Sequence, residues 1–573
     1  MTKTTKWFLA ASVAMAVIAS AFFAVGGRTG LTLLWIQYAV REESASYRDV
    51  EWQRGPSSPP ALAAQRRPNI VLIVADDLGH NDVSLNGGLA GGRLKTPHID
   101  RIANEGVNLA TAYSGSPTCA PSRAAIMTGR YPTRYGYEFT PTAKNFMRVV
   151  TQLRRSESQL HHSIYFPERE QGQPPLESLG LPTNEITLAR VLRSAGYHTA
   201  HVGKWHLGDA PQFRPTAHGF NESLSLPYGA AMFLPEDDPN VVNAASKIDP
   251  LDRFIWAAHP WGVRFNDGEL FKPNKYLTDY FTDQALKIID HNRHRPFFLY
   301  LAYNAPHTPL QATREDYEAL AEIEDHSVRV YAAMIRSLDR NIGRILEALD
   351  QADLSNDTLV IFTSDNGGTH TIGIKGINAP FRGWKATHFE GGIRVPMYMR
   401  WPNGLPQGRF DAPASHLDIF STAAAAADTA VPSDRIIDGV NLLPYLRGEA
   451  AGRPHQSLYW RTDRYLVVRD GDWKLQITDR PNKAWLNDLS TDPTEQINRA
   501  ADEPARVAAM RAALDAFDRS QVPPMWRSLG AGNAFRCILL SWNERFALLT
   551  IVVACFGRAI SEVGAVMIVG GNI

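Results

Sequence analysis

The sequence contains few cysteines and has no excess of charge of either sign. Only Cys119, Cys537 and Cys555 are cysteines among its 573 residues. So few cysteines exclude a fold that depends on a framework of disulfides. The 59 lysines and arginines are balanced by 59 aspartates and glutamates, which argues against nucleic acid as a partner. Internal repeats are also absent, which argues against a repeat architecture.

Residues 1–27 are predicted to be a targeting segment outside the fold. Lys3 and Lys6 precede an apolar run at residues 7–25, which is long enough for a membrane anchor or for a secretory signal. Residues 19–21 match the small-residue cleavage pattern of a signal peptide, but the apolar run continues past them. We therefore expect an exported protein, periplasmic or extracellular, that is either released or associated with the membrane through residues 7–25.

The remaining chain divides by composition into four parts. Residues 28–66 are predicted to be a linker because they are rich in charges, glycine and proline without a hydrophobic period, although residues 31–40 could extend an anchor. Residues 67–452 alternate apolar runs with amphipathic stretches, which predicts an α/β domain. Residues 453–527 are predicted to form a smaller α+β unit of short strands and one helix. Residues 528–573 form an apolar tail.

The α/β prediction depends on three continuous apolar runs, at residues 70–75, 297–303 and 359–363. Such runs are typical of strands covered on both faces in a mostly parallel sheet. Helices are predicted at residues 98–105, 186–194 and 331–349. In the smaller unit, strands are predicted at residues 457–460, 465–469 and 473–477, and a helix at residues 502–517.

Polar side chains follow the three predicted strands where each ends. Asp76 and Asp77 follow the first, Asp365 and Asn366 follow the third, and His307 comes shortly after the second. Binding sites in open α/β sheets form at the carboxyl ends of strands, so these side chains are expected to meet. Asp76, Asp77, Asp365 and Asn366 offer only oxygen ligands, which favours Ca²⁺, or Mg²⁺ as the second choice, over zinc.

Cys119 opens a distinctive motif, in which residues 119–123 are Cys-Ala-Pro-Ser-Arg and residues 128–130 are Thr-Gly-Arg. A short helix is predicted at residues 122–127, and a cysteine at a helix N-terminus favours anionic chemistry. The alternative role of a lone cysteine is that of a small buried apolar residue.

Two further blocks carry cationic and titratable side chains. Residues 203–208 are Gly-Lys-Trp-His-Leu-Gly and follow a predicted strand at 197–202, which places Lys204 and His206 on one face. Lys385 precedes a Glu-Gly-Gly-Ile-Arg-Val-Pro run at residues 390–396.

Together these motifs resemble those of the type I sulfatases, and most closely the arylsulfatase B-like branch. The resemblance runs with gaps from about residue 67 to about residue 519 and implies an alkaline-phosphatase-like fold. It implies that a formylglycine-generating enzyme converts Cys119 to formylglycine, also called 3-oxoalanine. It also implies that residue 119 joins Asp76, Asp77, Asp365 and Asn366 around the metal ion.

The activity implied by the resemblance is hydrolysis of a sulfate monoester, on an aryl compound or a saccharide, to an alcohol and inorganic sulfate. Arg123, Lys204 and Lys385 would neutralise the charge of the sulfate. A hydroxyl of the hydrated formylglycine would attack the sulfur. His206 would deprotonate the hydrate, and His307, shared with Lys385, would protonate the leaving oxygen.

Two alternatives remain open. A phosphonate monoester or phosphodiester hydrolase of the same superfamily can carry a similar cysteine motif, although the blocks at residues 203–208 and 390–396 favour the sulfatase. A non-catalytic sulfate-ester binding protein would result if Cys119 stayed unmodified. In the tail, residues 557–565 resemble the coupling loop of ABC-type tungstate or molybdate permeases, which suggests a fusion remnant; the alternative is a membrane-associated hairpin.

Overall fold

A ten-stranded sheet forms the centre of the protein in a computed structural model that describes residues 27–58, 67–144, 146–152, 164–246, 250–479 and 482–531, together with Met15 and Ser20. In chain order its strands are β1 (Asn69–Ala75), β2 (Val107–Leu109), β3 (His198–Gly203), β4 (Glu222–Ser225), β5 (Val263–Phe265), β6 (Leu270–Phe271), β7 (Phe297–Ala302), β8 (Thr358–Ser364), β9 (Met397–Arg400) and β10 (Gly408–Phe410).

The spatial order of the strands is β10-β2-β9-β8-β1-β7-β3-β4-β5-β6. The five central strands, from β8 to β4, pair in parallel, and antiparallel pairs occur on both sides of them. The predicted mostly parallel α/β sheet is therefore confirmed. The three predicted apolar runs are its adjacent central strands β8, β1 and β7.

Helices cover both faces of the sheet because alternate side chains of the central strands are apolar on each face. The longer helices are α1 (Gly27–Trp35), α2 (Pro97–Asn104), α3 (Cys119–Thr128), α4 (Leu188–Ser194), α5 (Pro250–Ala258), α6 (Leu277–His291), α7 (His326–Gln351), α8 (Leu417–Ala426) and α9 (Pro504–Arg519). Val71 and Ile73 face the core under α2, α6 and α7. Ile70 and Leu72 face the core under α3, α4 and α8.

Short elements complete the described chain. Two-stranded pairs join Val241–Ala244 to Leu310–Thr313, Ala112–Tyr113 to Ala414–Ser415, and Ile164–Tyr165 to Gly530–Ala531. Short helices are Leu89–Gly92, Phe146–Gln152, Pro167–Glu170, Arg314–Glu318, Glu390–Ile393 and Leu443–Leu446.

The C-terminal unit is a four-stranded antiparallel sheet with a helix on one face. Its strands are β11 (Ser457–Thr462), β12 (Tyr465–Asp470), β13 (Trp473–Asp479) and β14 (Asn482–Asp488), joined in sequence order. The smaller α+β unit is thereby confirmed, with one more strand than predicted. Helix α9 packs on one face through Met510 and Leu514. Trp460 and Val467 on the other face pack against Phe389 of the α/β domain.

The predicted linker at residues 28–66 is corrected where the structure describes it. Residues 27–40 are helical, ending in the π-helical turn Ile36–Val40. Trp52 is 4% exposed, and its Nε1 donates to Gln284 Oε1 of α6 at 3.0 Å. A buried tryptophan ties this segment to the α/β domain, so residues 41–58 belong to the fold.

The predicted C-terminal boundary also shifts. Leu529 is buried, and Gly530–Ala531 pairs with Ile164–Tyr165, so the folded chain extends at least to Ala531. The permease-like stretch at residues 557–565 and most of the apolar run at residues 7–25 lie outside the described residues. Among the helices of the described chain, none combines the length and the apolar character needed to cross a bilayer.

Candidate active site

Adjacent strand ends bring the predicted acidic residues together. Strands β1 and β8 pair in parallel with Ala75 opposite Ser364, so Asp76 and Asp365 leave the sheet side by side. The backbone N–H of Asp77 donates to Asp365 Oδ1 at 3.1 Å. Asp77 has a φ of +63°, which turns its side chain away from the direction of the strand. All three carboxylates, with the side chain of Asn366, are buried.

Arg123 joins three of the sequence motifs. It is fully buried on helix α3; its Nε donates to Asp365 Oδ2 at 2.9 Å, and its Nη2 lies 2.7 Å from the same oxygen in an ion pair. Its Nη1 donates to the backbone carbonyl of Lys204 at 2.9 Å. Charge-assisted guanidinium contacts of this kind hold groups in a defined orientation. The cysteine helix, strand β8 and the residue 203–208 block are thus fixed to one another.

Cys119 lies inside this cluster, with Sγ 3.7 Å from Asp77 Oδ1. Burial raises the pKa of the Cys119 thiol, and the negative charge of Asp365 raises it further. The expectation of anionic chemistry from the helix N-terminus is therefore wrong for the thiol itself, because burial and neighbouring carboxylates outweigh the helix dipole. Helix α3 begins at Cys119, three residues earlier than predicted.

The predicted cations reach the same carboxylates. Lys204 Nζ lies 2.6 Å from Asp76 Oδ2, and Lys385 Nζ lies 2.8 Å from Asp77 Oδ2. His307 Nε2 lies 3.6 Å from the same Asp77 oxygen. Sequence motifs separated by more than 300 residues therefore meet around one aspartate pair.

Both predicted histidines are neutral in this environment. Burial, together with the charges of Lys204 and Lys385, lowers the pKa of His307 to about 3. Nδ1 of His307 contacts the Thr308 carbonyl at 2.6 Å, which leaves Nε2 directed at the site. Burial and the charge of Lys204 also depress the pKa of His206.

His206 is held by a close backbone approach. A Cβ atom at Gly229 would lie 2.3 Å from His206 Cδ2, so only glycine fits against the imidazole ring. Buried Nδ1 of His206 has no hydrogen-bond partner in the described part of the chain. That nitrogen is available to a bound group.

The oxygen atoms of the cluster fit a hard divalent cation. Asp76 Oδ1 and Asn366 Oδ1 are buried without a hydrogen-bond partner among the described residues. One ligand atom from each of Asp76, Asp77, Cys119 and His307 lies within 4.8 Å of the others. Burial raises the pKa of Asp76 to about 7, and a bound cation would favour its ionised form. Carboxylate and amide oxygens are the donors that Ca²⁺ and Mg²⁺ prefer.

A second layer of charge behind the site was not predicted from the sequence. Lys474 of β13 is fully buried and lies 2.9 Å from Glu390 Oε1 and 3.0 Å from Glu495 Oε1. Tyr113 Oη donates to Glu390 Oε2 at 2.8 Å. Glu390 ends the loop that carries Lys385, so the C-terminal unit contacts the site through this loop.

Comparison with known proteins identifies the family. Residues 68–429 match the family model described as Sulfatase. The chain is 35% identical to N-acetylgalactosamine-6-sulfatase of Mus musculus over 430 residues, covering 73% of each chain. It is 34% identical to steryl-sulfatase of Mus musculus, covering 71% of this chain and 69% of that one. The chain belongs to the sulfatase family.

The fold of this sulfatase agrees with a solved relative. The crystal structure of Ps i-CgsB in complex with k-i-k-neocarrahexaose matches with a TM-score of 0.67 at 30% identity, covering 81% of this chain and 95% of that one. The predicted alkaline-phosphatase-like fold and sulfuric ester hydrolase activity are therefore confirmed. The family implies a metal ion and a formylglycine, and the cluster around Asp76 and Cys119 is the candidate place for both.

Proposed function

We propose that this sulfatase hydrolyses a sulfate monoester on a saccharide, using a formylglycine formed from Cys119. The observation that carries the proposal is the convergence of Arg123, Lys204 and Lys385 on the carboxylates next to Cys119. One relative above is named for a sugar, and another was solved in complex with k-i-k-neocarrahexaose, which supports a saccharide over a simple aryl group.

Maturation would precede catalysis. Conversion of the Cys119 thiol to an aldehyde is a two-electron oxidation, in which bonds from carbon to oxygen replace the carbon–sulfur bond and the sulfur leaves as hydrogen sulfide. A formylglycine-generating enzyme would use dioxygen as oxidant, and a thiol reductant would supply the two further electrons that reduce it to water. Addition of water to the aldehyde gives two hydroxyls on one carbon. The carbon that carries them is Cβ of residue 119, so one hydroxyl would take the place of Cys119 Sγ, which lies 3.7 Å from Asp77 Oδ1.

The metal ion is proposed to be Ca²⁺, with Mg²⁺ as the second choice, held by Asp76, Asp77, Asp365, Asn366 and residue 119. The bound cation would neutralise charge on the sulfate and lower the pKa of a coordinated hydroxyl. Three carboxylates of the site are balanced by Arg123, Lys204 and Lys385. A divalent ion would therefore make the site net positive and favour an anionic substrate.

The chain's own groups would carry the proton transfers. One hydroxyl, having lost its proton to water, would form a bond to sulfur while the bond from sulfur to the alcohol oxygen breaks, and that oxygen would take a proton from His307 or Lys385. Neutral His206 then accepts the proton of the second hydroxyl. The bond from carbon to the sulfate oxygen would then break, which releases sulfate and restores the aldehyde.

The division of acid and base roles follows from charge. Asp77 raises the pKa of Lys385 against the effect of burial, so Lys385 already carries a proton. His307 is neutral in the free site. It would take up a proton only as the sulfate anion binds, and its donation would therefore depend on a bound substrate.

We propose that the enzyme is exported and acts in the periplasm or outside the cell. Lys3, Lys6 and the apolar run at residues 7–25 support it.

The test combines mass spectrometry with turnover. The peptide containing residue 119 should have the mass of the aldehyde, and desulfation should be faster on sulfated galactose or galactosamine than on a steroid sulfate or an aryl phosphodiester. Cys119→Ala should be folded and inactive. Cys119→Ser should turn over at most once, because its sulfate ester lacks a second hydroxyl. Repeated turnover by the serine variant would overturn the mechanism.

A further inference from the structure

The helix at residues 27–40 exposes an apolar face that no other part of the described chain covers. Of the fourteen exposed large apolar side chains in that part of the chain, five fall within residues 31–40. Trp35 is 60% exposed and Tyr38 is 82% exposed. Clustered exposure of this kind marks an interaction surface, whereas isolated exposed apolar residues are ordinary. The face is formed by Leu31, Leu34, Trp35, Tyr38 and Val40, and we call it the N-terminal apolar face.

The chemistry of the N-terminal apolar face is that of the boundary between water and lipid. Residues 29–40 contain no charged side chain, and Arg28 and Arg41 stand at their two ends. Leu31, Leu34 and Tyr38 follow helical spacing and so share one side. Tryptophan and tyrosine are enriched at membrane interfaces, where an apolar ring is buried and its polar end stays wet.

An ion pair and backbone hydrogen bonds connect the segment that follows the N-terminal apolar face to the catalytic domain. Immediately after the helix, Arg264 Nη2 lies 3.0 Å from Glu42 Oε1. Backbone hydrogen bonds of 2.9 Å then connect Ala45 to Leu270 and to Lys272. Helix α5 packs against the helix from the side. A surface that held the helix would therefore orient the whole enzyme instead of tethering it loosely.

Arg264 also connects this segment to the chain that follows the residue 203–208 block of the active site. Arg264 Nη1 lies 3.3 Å from Asp209 Oδ2, three residues beyond His206. The helix is thus joined through two ion pairs to the segment that carries a proposed catalytic histidine.

We propose that the N-terminal apolar face lies in the surface of a lipid bilayer and sets the orientation of the catalytic domain above it. The inference rests on the proposed export of the chain. The apolar run at residues 7–25 ends two residues before the helix, so a bilayer that holds this run as an anchor would be within reach of the face. A second copy of the chain fits the N-terminal apolar face less well than a bilayer does. A stable dimer interface takes roughly 20–30 residues a side, and the face offers five apolar ones.

Spin labelling of the full chain tests the proposal. The variants are Leu34→Cys, Tyr38→Cys and, at an exposed control position, Glu43→Cys, each in a chain that also carries Cys537→Ala and Cys555→Ala and keeps the buried residue 119. Each protein is reconstituted into phosphatidylethanolamine and phosphatidylglycerol vesicles. The label's collision rates with oxygen, which concentrates in lipid, and with a water-soluble nickel chelate are then measured. Labels at 34 and 38 should favour oxygen over nickel severalfold more than the label at 43.

Equal nickel accessibility at the three positions would overturn the proposal. Dipolar broadening at position 38 that disappears on dilution with unlabelled protein would also overturn it, in favour of a second copy. Sulfatase turnover is measured on the same samples. If the proposed sulfatase chemistry is wrong, turnover will be absent while the oxygen and nickel accessibilities of the labels stay as expected. Failure of the proposed function can therefore be told apart from failure of the membrane proposal.

Discussion

Lys474 Nζ lies 2.9 Å from Glu390 Oε1, which pairs the C-terminal sheet with the loop that carries Lys385. The same ammonium contacts Glu495, and Glu495 Oε2 accepts a hydrogen bond from the backbone N–H of Glu390 at 2.6 Å. Arg382, at the start of the loop, donates to the Glu495 carbonyl at 3.1 Å. The C-terminal unit therefore holds both ends of a segment of the active site.

Lys474→Met should lower both stability and turnover. The substitution leaves Glu390 and Glu495 facing each other without their shared cation, and breaking a buried ion pair costs about 3–5 kcal/mol. Denaturant unfolding and kcat on a sulfated saccharide measure the two effects. The control is Arg464→Met, since Arg464 is an exposed ion-pair partner of Asp479 in the same sheet. It should change stability by less than about 1 kcal/mol.

A double-mutant cycle separates positioning from general damage. If Lys474 acts on turnover through Lys385, Lys474→Met should cost much less kcat in a Lys385→Ala background than in the wild-type background. Fully additive losses in kcat would show that the two lysines act independently.

Asp77→Asn should remove the metal ion and most of the activity. The change deletes a charged ligand next to residue 119, so kcat/KM should fall by orders of magnitude. Elemental analysis should find one Ca²⁺ per chain in the wild type and substoichiometric Ca²⁺ in the variant. Asp411→Asn, at an exposed position, is the matched control and should keep both. Stoichiometric zinc in the wild type would contradict the oxygen-ligand argument.

Folding stability should depend on pH through His455. Burial lowers the pKa of His455, but the charge and hydrogen bond of Asp418, 2.7 Å away, outweigh it and raise the pKa above the usual value. A raised folded-state pKa stabilises the protein fully below the unfolded pKa of about 6.5, and this stabilisation is lost as pH rises through the folded pKa.

The measurement compares the free energy of unfolding of wild type and His455→Gln across pH. The other titrating groups are common to both proteins, so the difference isolates His455. The variant should be destabilised more below about pH 6 than above about pH 9. A difference that is constant across this range would show that the pair contributes packing without charge.

Trp52→Ala should destabilise the catalytic domain. It empties a buried site under α6 and leaves the Gln284 carbonyl oxygen without its donor, and Trp→Ala changes in cores cost about 3–5 kcal/mol. Tyr47→Ala, five residues earlier and exposed, should stay within about 0.5 kcal/mol of wild type. Chemical denaturation of both variants decides whether this segment is folded, since a linker would tolerate both changes equally.

The central sheet and the site at its edge are predictable from the sequence for one physical reason. Strands buried on both faces must be apolar throughout, so residues 70–75 and 359–363 stand out from the polar residues that follow them. Because those strands are parallel neighbours, their carboxyl ends lie side by side, and the proximity of Asp76 and Asp365 follows from the strand positions alone.

The elements missed by the sequence analysis lack such a contrast. In β13, Lys474 and Gln476 lie on the face toward the catalytic domain, while Leu475 and Ile477 lie on the face toward α9. Both faces are buried, yet a lysine ordinarily marks a solvated face. Trp52 is a single apolar anchor in a charged segment, so no periodicity reveals it. Strand β14 begins with Asn482 and Lys483, which give a weak strand signal.

The burial of Cys119 bears on whether its proposed oxidation comes before or after folding. The residue is 3% exposed, and every residue of its helix is buried. In the folded protein, a second enzyme would have no access to this thiol. The oxidation proposed for residue 119 would therefore have to precede folding, during or just after synthesis. A molecule that folds before it is modified would keep the thiol. The fraction of active enzyme would therefore depend on the rate of modification relative to the rate of folding.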